Sequence, residues 1–219
     1  MSLNLGAIQH ARTTSDVIAD ALRSAILQGR LQSGQSLKQD EIANEFHVSK
    51  IPVREALVQL QAEGLVNLKP SRGATVSKLT LADVEEIYTI RLALEPIALG
   101  RAIPHYTHAH FARFEGVLER IDYEEDMTMW AELNWEFHSA MYEPAKMPRL
   151  TQTIQSLHHN VARYLLNNYL DRDYLAESQR QHREIVEYCL RGDVEGAIAS
   201  LKRHLGDPVS VFKDILSRS

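Results

Sequence analysis

Cysteine is nearly absent from this sequence: its 219 residues contain one, Cys189. A single thiol forms no intrachain disulfide, which excludes a small fold stapled by bridges. No stretch approaches the roughly 18 consecutive apolar residues that a membrane-spanning helix needs. The opening MSLNLGAIQHARTT has neither the basic start nor the long apolar run of a secretory signal. Repeats, low-complexity tracts and charge-rich or Ser/Gly-rich segments are also missing, which argues against disorder and solenoids. These absences lead us to expect a globular protein of the reducing cytoplasm, with no membrane partner. A large positive charge is missing too, since the net charge is −5. The balance is uneven, however. Residues 1–78 carry nine Lys/Arg against seven Asp/Glu, a net +2, and residues 79–219 carry fifteen against twenty-two, a net −7. That asymmetry suggests two domains, 1–78 and 79–219, with different partners.

What is present is mostly helical periodicity. Residues 15–28 place Val17, Ala21, Leu22, Ala25 and Ile26 on one stripe, with Ser15 as N-cap and Gly29 as stop. A short second helix spans 38–46, with Ile42 and Phe46 inward. The turn His47-Val48-Ser49 follows, and Ser49 caps a third helix whose first turn holds Pro52, where no N–H partner is needed. Its inward residues are Val53, Leu57 and Leu60, with Leu65 after the stop at Gly64. Alternation around 65–68 and 74–76, separated by Pro70, Ser71 and Gly73, predicts two strands. Helix–turn–helix plus hairpin is a winged helix-turn-helix. From Thr80 onward, with Asp83 as capping-box partner, helices are expected over 81–102, 107–125, 128–143, 147–169, 175–191 and 193–215. Pro96 is expected to bend or split the first. Short connections imply antiparallel neighbours. The predicted fold is therefore mainly α: a winged helix-turn-helix, then an all-α antiparallel bundle.

In a helix-turn-helix, the N-terminal turn of the second helix of the pair enters the major groove. Here that turn is Ser49-Lys50-Ile51-Pro52-Val53-Arg54. Lys50 and Arg54, four apart, share a face and reach phosphates, and Arg54 can grip the O6/N7 edge of guanine. Ser49 offers a hydroxyl and free helix-start N–H groups to a phosphate. Arg72 and Gly73 form a basic wing tip suited to the minor groove. The stretch LKQDEIANEFHVSKIPVREALVQLQAEGLV followed by PSRGATV resembles the DNA-binding domain of the GntR family of bacterial transcription regulators. Two positions depart from that family's usual pattern: Lys50 stands for Arg and Ile51 for Thr. Asp40 replaces an Arg that contacts DNA in some members, so that contact is expected to be lost.

Ten histidines are present. His10, His47, His105, His108 and His110 lie near termini, turns or a polar helix start and read as surface residues. His158 and His159 are adjacent and cannot share a face; either alone reads as structural. Three others fall on inward stripes: His138 with Leu133, Phe137 and Met141; His182 with Ile185, Val186 and Cys189; His204 with Ala197, Leu201 and Leu205. His182 precedes Gly192 by ten residues and His204 follows it by twelve. Both then stand about 15–18 Å from that turn and level across an antiparallel helix pair. Asn134 and His138, at i and i+4 on a third helix, close the site. Three neutral imidazoles suit Zn²⁺, Ni²⁺, Co²⁺ or Mn²⁺.

Residues 80–215 resemble the FCD ligand-binding domain of the FadR-like branch of the same family, through DVEEIYTIRLALEPIALGRAI, LNWEFHSAMYEPAKMPRL and QHREIVEYCLRGDVEGAIASLKRHL. Metal-binding members use an Asp, a His four residues on and two later His. The resemblance places these at Asn134, His138, His182 and His204, with an amide where a carboxylate is usual. It further implies that Arg91 meets an effector carboxylate, whereas spacing alone allows Arg91 to be a surface ion-pair partner of Glu95. The leading expectation is a ligand-responsive regulator, commonly a repressor in that family. It would be a homodimer on palindromic operator DNA, controlled by a small organic acid at a metal pocket. A metal-ion sensor is the alternative. A metallohydrolase is the third reading; it is disfavoured because Glu136, at i+2 from Asn134, lies off the ligand face. No catalytic residue is assigned.

Overall fold

The first helix, α1 (Thr14–Leu27), starts at Thr13, whose hydroxyl accepts from Asp16 N–H while the Asp16 carboxylate accepts from Thr13 N–H. Thr13, not Ser15, is therefore the cap. The inward stripe also differs: Ile18, Ala19, Leu22 and Ile26 are buried, and Val17 is exposed. The computed structural model describes residues 12–69, 73–168 and 172–216. They form two compact units divided between Lys78 and Leu79.

In the first unit α1 is followed by strand β1 (Ser36–Leu37), α2 (Gln39–Glu45), α3 (Lys50–Ala62), β2 (Val66–Lys69) and β3 (Gly73–Val76). The strands form an antiparallel sheet in the order β1-β3-β2, pairing Leu37 with Ala74 and Leu68 with Ala74 on its other side. β1 is a third strand, too short for alternation to reveal. The turn between α2 and α3 puts His47 in the left-handed region, at φ 53°. Ser49 has the extended N-cap conformation, but its side chain makes no capping hydrogen bond. Val53, Ala56, Leu57 and Leu60 of α3 are fully buried against α1 and the sheet. Arg23 of α1 forks onto Glu63 at 2.7 and 2.6 Å, fixing the two helices at their far ends.

The second unit is a bundle of α4 (Leu81–Ala102), α5 (His108–Asp122), α6 (Met127–Tyr142), α7 (Pro148–Asn168), α8 (Arg172–Leu190) and α9 (Val194–Leu216). Thr80 and Asp83 form the expected capping box. α4 runs unbroken through Pro96: one missing N–H does not end a helix whose face carries the buried Ala98, Leu99 and Ala102. The core is built from Phe114, Phe137, Met141, Ile154, Ile185 and Leu201 among others, each such side chain stabilising by roughly 1.5–3 kcal/mol. Gly192, at φ 70°, turns α8 back onto α9, and this pairing sets His182 against His204.

Candidate metal centre and DNA-facing surface

Five helices converge on one buried polar cluster. α6 brings Asn134, His138 and Tyr142; α7 brings His158; α8 brings Gln179, Gln181 and His182; α9 brings His204; α4 brings Arg91 and Glu95. One ring nitrogen each from His138, His182 and His204 lies within 4.8 Å of the others. His182 Nε2 and His204 Nε2 are 3.3 Å apart. A tetrahedral ion about 2.1 Å from each nitrogen requires a separation of about 3.4 Å.

The neighbours decide where the protons sit. His182 Nδ1 is 2.9 Å from Gln179 Oε1. The Gln179 amide nitrogen is itself committed to the Leu118 carbonyl and the Asp122 carboxylate, at 3.1 and 2.9 Å. Its oxygen must therefore face His182 and accept from Nδ1–H. His204 Nδ1 meets Gln181 Oε1 at 2.9 Å, and the Gln181 nitrogen donates to Glu177 and Asp207. His138 Nδ1 is 3.2 Å from the Tyr142 hydroxyl, which donates its own proton to Glu95 Oε2 at 2.6 Å. So each imidazole holds its proton on Nδ1. Each leaves a lone pair on Nε2, and that of His138 is a buried atom with no hydrogen-bond partner. Lone pairs of His182 and His204 facing at 3.3 Å repel unless a cation lies between them. This is the pattern in which outer partners orient metal-binding histidines.

Asn134 departs from the ligand role in one respect. Its Nδ2 lies 3.1 Å from His158 Nε2, while Asn134 Oδ1 and His158 Nδ1 are buried without hydrogen-bond partners. Inference from sequence missed His158, since its polar partner sits on another helix, 24 residues away. Gln179 carried a faint signal, one turn before His182; Gln181 carried none, because it serves a histidine across the helix pair. Arg91 pairs with Glu95 at 2.5 Å, but both are buried, 5% and 0% exposed, so this is no surface ion pair. The Arg91 guanidinium also lies 4.9 Å from the Tyr88 ring centroid. Burial works against its charge, yet Glu95 and Tyr88 outweigh burial and raise its pKa. Glu136 is tied to Arg120 at 3.0 Å, away from the imidazoles.

Burial holds the imidazoles of His138, His158 and His182 well below the ordinary range, with added repulsion from neighbouring imidazoles or Arg91. Burial and Arg91 bring His204 down to about 3. A depressed imidazole contributes its full stability above the unfolded value of about 6.5 and loses it as the pH falls, because the unfolded chain then binds protons that the folded chain refuses. Metal-free protein is therefore expected to show a lower urea midpoint at pH 5.0 than at pH 7.5. Equal midpoints would contradict this placement of the imidazoles.

On the first unit, Ser49, Lys50 and Arg54 are exposed and Pro52 is half-buried at the start of α3. Lys50 Nζ meets Asp40 Oδ1 at 2.5 Å. Arg72 lies outside the described residues. Gly73 is not a tip residue: it is buried in β3 at φ 95°, and a Cβ there would stand 2.1 Å from the Leu37 carbonyl oxygen. The glycine is required because β3 passes β1 closely.

A winged helix-turn-helix unit together with an all-helical bundle defines a two-domain transcription regulator. Residues 14–76 match the model of the bacterial regulatory proteins of the gntR family, and residues 86–207 match the FCD domain. The chain belongs to the GntR family of bacterial transcription regulators, whose members are DNA-binding proteins and not enzymes, so the metallohydrolase reading falls. It is 29% identical over 190 residues to the HTH-type transcriptional repressor RspR of Escherichia coli K12, covering 84% of this chain and 82% of that one. It is 31% identical over 198 residues to a probable D-xylose utilization operon transcriptional repressor of Paenarthrobacter nicotinovorans, covering 88% and 86%. An uncharacterized HTH-type transcriptional regulator of Mycobacterium tuberculosis is matched over 63% of its own length, at 28% identity over 154 residues, 70% of this chain. A putative GntR regulator from Rhodococcus sp. RHA1 superposes with a TM-score of 0.78 at 25% identity, over 91% of this chain and 97% of that one. Escherichia coli McbR/YncC shares the fold, with a TM-score of 0.80 at 23% identity, over 94% of this chain and all of that one. Among the described residues no helix is long and apolar enough to cross a membrane.

Proposed function

We propose that this chain is a ligand-responsive repressor whose helical unit holds a divalent transition metal, Zn²⁺, Ni²⁺ or Mn²⁺, through His138, His182 and His204. The observation that carries this reading is the orientation of three buried imidazoles whose outer nitrogens are all satisfied by acceptors and whose inner nitrogens share one space. Asn134 supplies a fourth, neutral oxygen. Its amide has one oxygen end and one nitrogen end, and donation to His158 commits the nitrogen, which leaves Oδ1 for the ion. With only neutral ligands the ion keeps its charge, so an anionic effector is favoured. A small carboxylate that meets the metal, with Arg91 and its partner Glu95 in the wall, fits that electrostatic need. Chelation tests the alternative of metal sensing: if removing the ion alone changes operator affinity with no organic acid present, the ion itself is the signal.

The first unit reads the operator through Ser49, Lys50 and Arg54, with Pro52 setting the start of α3, and Arg72 and Gly73 belong to the wing. Two copies read a palindrome. Ile87, Ile90, Leu94 and Ile97 of α4 repeat at the three–four spacing of a helix–helix seam, and Ile90 and Ile97 are exposed; we assign the dimer contact to this stripe. Arg54→Ala is expected to weaken operator binding about 10-fold or more and to relax specificity at one base pair per half-site. Footprinting should show two half-sites about 34 Å apart. Unchanged affinity would overturn the placement of α3, and a single protected half-site would overturn the dimer.

A further inference from the structure

The N-terminal turn of α3 displays an isoleucine to solvent. Ile51 is 70% exposed, between Lys50 and Pro52. It takes no part in the core, which α3 fills with the buried Val53, Ala56, Leu57 and Leu60. Val58, two turns on and 47% exposed, continues the same outward face, and the exposed Arg54 lies between them. The charge beside Ile51 is already answered: Lys50 is held by Asp40, on α2, at 2.5 Å. The carboxylate beside it offsets part of the pull of Lys50 on a phosphate, a modest effect for a pair exposed on both sides. The Lys50–Asp40 pair leaves the tip of α3 close to neutral beside the exposed Ile51, with the exposed Arg54 one turn further in.

Only thymine presents a methyl group in the major groove. We propose that Ile51 is a specificity-determining residue that packs on a thymine methyl in each operator half-site, beside the Lys50–Asp40 pair. This rests on the reading of α3 as the helix that enters the groove. Other bases leave the Ile51 side chain against polar base edges, so discrimination comes from burial and not from a hydrogen bond.

The full-length chain is first used to select operator duplexes from a random pool. Each thymine is then replaced by deoxyuridine, which removes only the methyl group, symmetrically in both half-sites. For the wild type, one thymine position is expected to be sensitive, with affinity falling about 15-fold, or about four-fold for each methyl buried. Ile51→Ala should bind the thymine and deoxyuridine duplexes equally, and Ile51→Val should keep part of the preference. Because the side chain is exposed, both variants are expected to melt with the wild type. If no thymine position separates the wild type from Ile51→Ala, the proposal is wrong. Arg54→Ala, measured alongside, distinguishes the two failures. If it weakens binding while deoxyuridine is without effect, only the role of Ile51 falls; if it too leaves binding unchanged, α3 is not the reading helix and both fall.

Discussion

Replacing Glu95 with alanine is expected to destabilise the helical unit by about 3–5 kcal/mol, the cost of leaving a buried cation without its partner. Glu95 is fully buried, accepting from Arg91 Nε at 2.5 Å and from the Tyr142 hydroxyl at 2.6 Å. Without it, Arg91 keeps its charge inside the bundle with no carboxylate partner among the hydrogen bonds and ion pairs of the described residues, and the face of Tyr88 lies opposite. Replacing both members, as in Arg91→Leu with Glu95→Leu, should recover most of the loss, because apolar substitutes for a buried pair are often neutral. Urea unfolding at pH 7.5 measures both. A single-variant loss under 1 kcal/mol would show that the pair is not buried as described. The same substitution reaches the metal centre. Tyr142 loses the acceptor for its proton, so its hydroxyl no longer has to accept from His138 Nδ1. Disturbing such an outer partner typically lowers metal affinity 10–100-fold.

His182→Ala is expected to reduce metal affinity by more than 100-fold, because it removes one of three imidazoles and separates Gln179 from the site. Metal content after dialysis against excess Zn²⁺ or Ni²⁺ measures it, one equivalent for the wild type against almost none for the variant. In Co²⁺-loaded protein the visible spectrum gives a second readout, since it follows coordination and not fold. If the wild type dialyses without metal, the three-histidine reading fails. If His182→Ala retains a full equivalent, the ligands lie elsewhere. Removing the imidazole also removes a group that resists protonation, so metal-free His182→Ala should lose less stability between pH 7.5 and 5.0 than the wild type.

Much of this was legible in the sequence. The 3.6-residue periodicity marked the helices from Thr80 onward, because a bundle helix must keep one apolar face whatever it packs against. Stop signals at Gly29, Gly64 and Gly192 were equally local, since positive φ favours glycine. Counting outward from Gly192 placed His182 and His204 level with each other, because an antiparallel hairpin converts chain distance into height. Departures arose where a local signal had competitors. Thr13 and Ser15 both suit an N-cap, and Val17 and Ile18 are both apolar, so packing and not local signal decided which of them faces inward. Pro96 reads as a breaker only while the packing of α4 is unknown. β1 is two residues long and exists only because β3 lies beside it.

The sequence by itself determined the two-domain plan, the reading-helix motif and three histidines on inward faces, all of which follow from short-range spacing. Tertiary structure alone decided which nitrogen of each histidine is free. That choice rests on Gln179 held by Leu118 and Asp122, on Gln181 reaching across to His204, and on Glu95 drawing the Tyr142 proton away from His138. It also turned the Asn134 amide by means of His158 and buried Arg91 with Glu95. Hydrogen-bond direction depends on partners that are distant in the chain and adjacent only in space, and no periodicity along one helix encodes them.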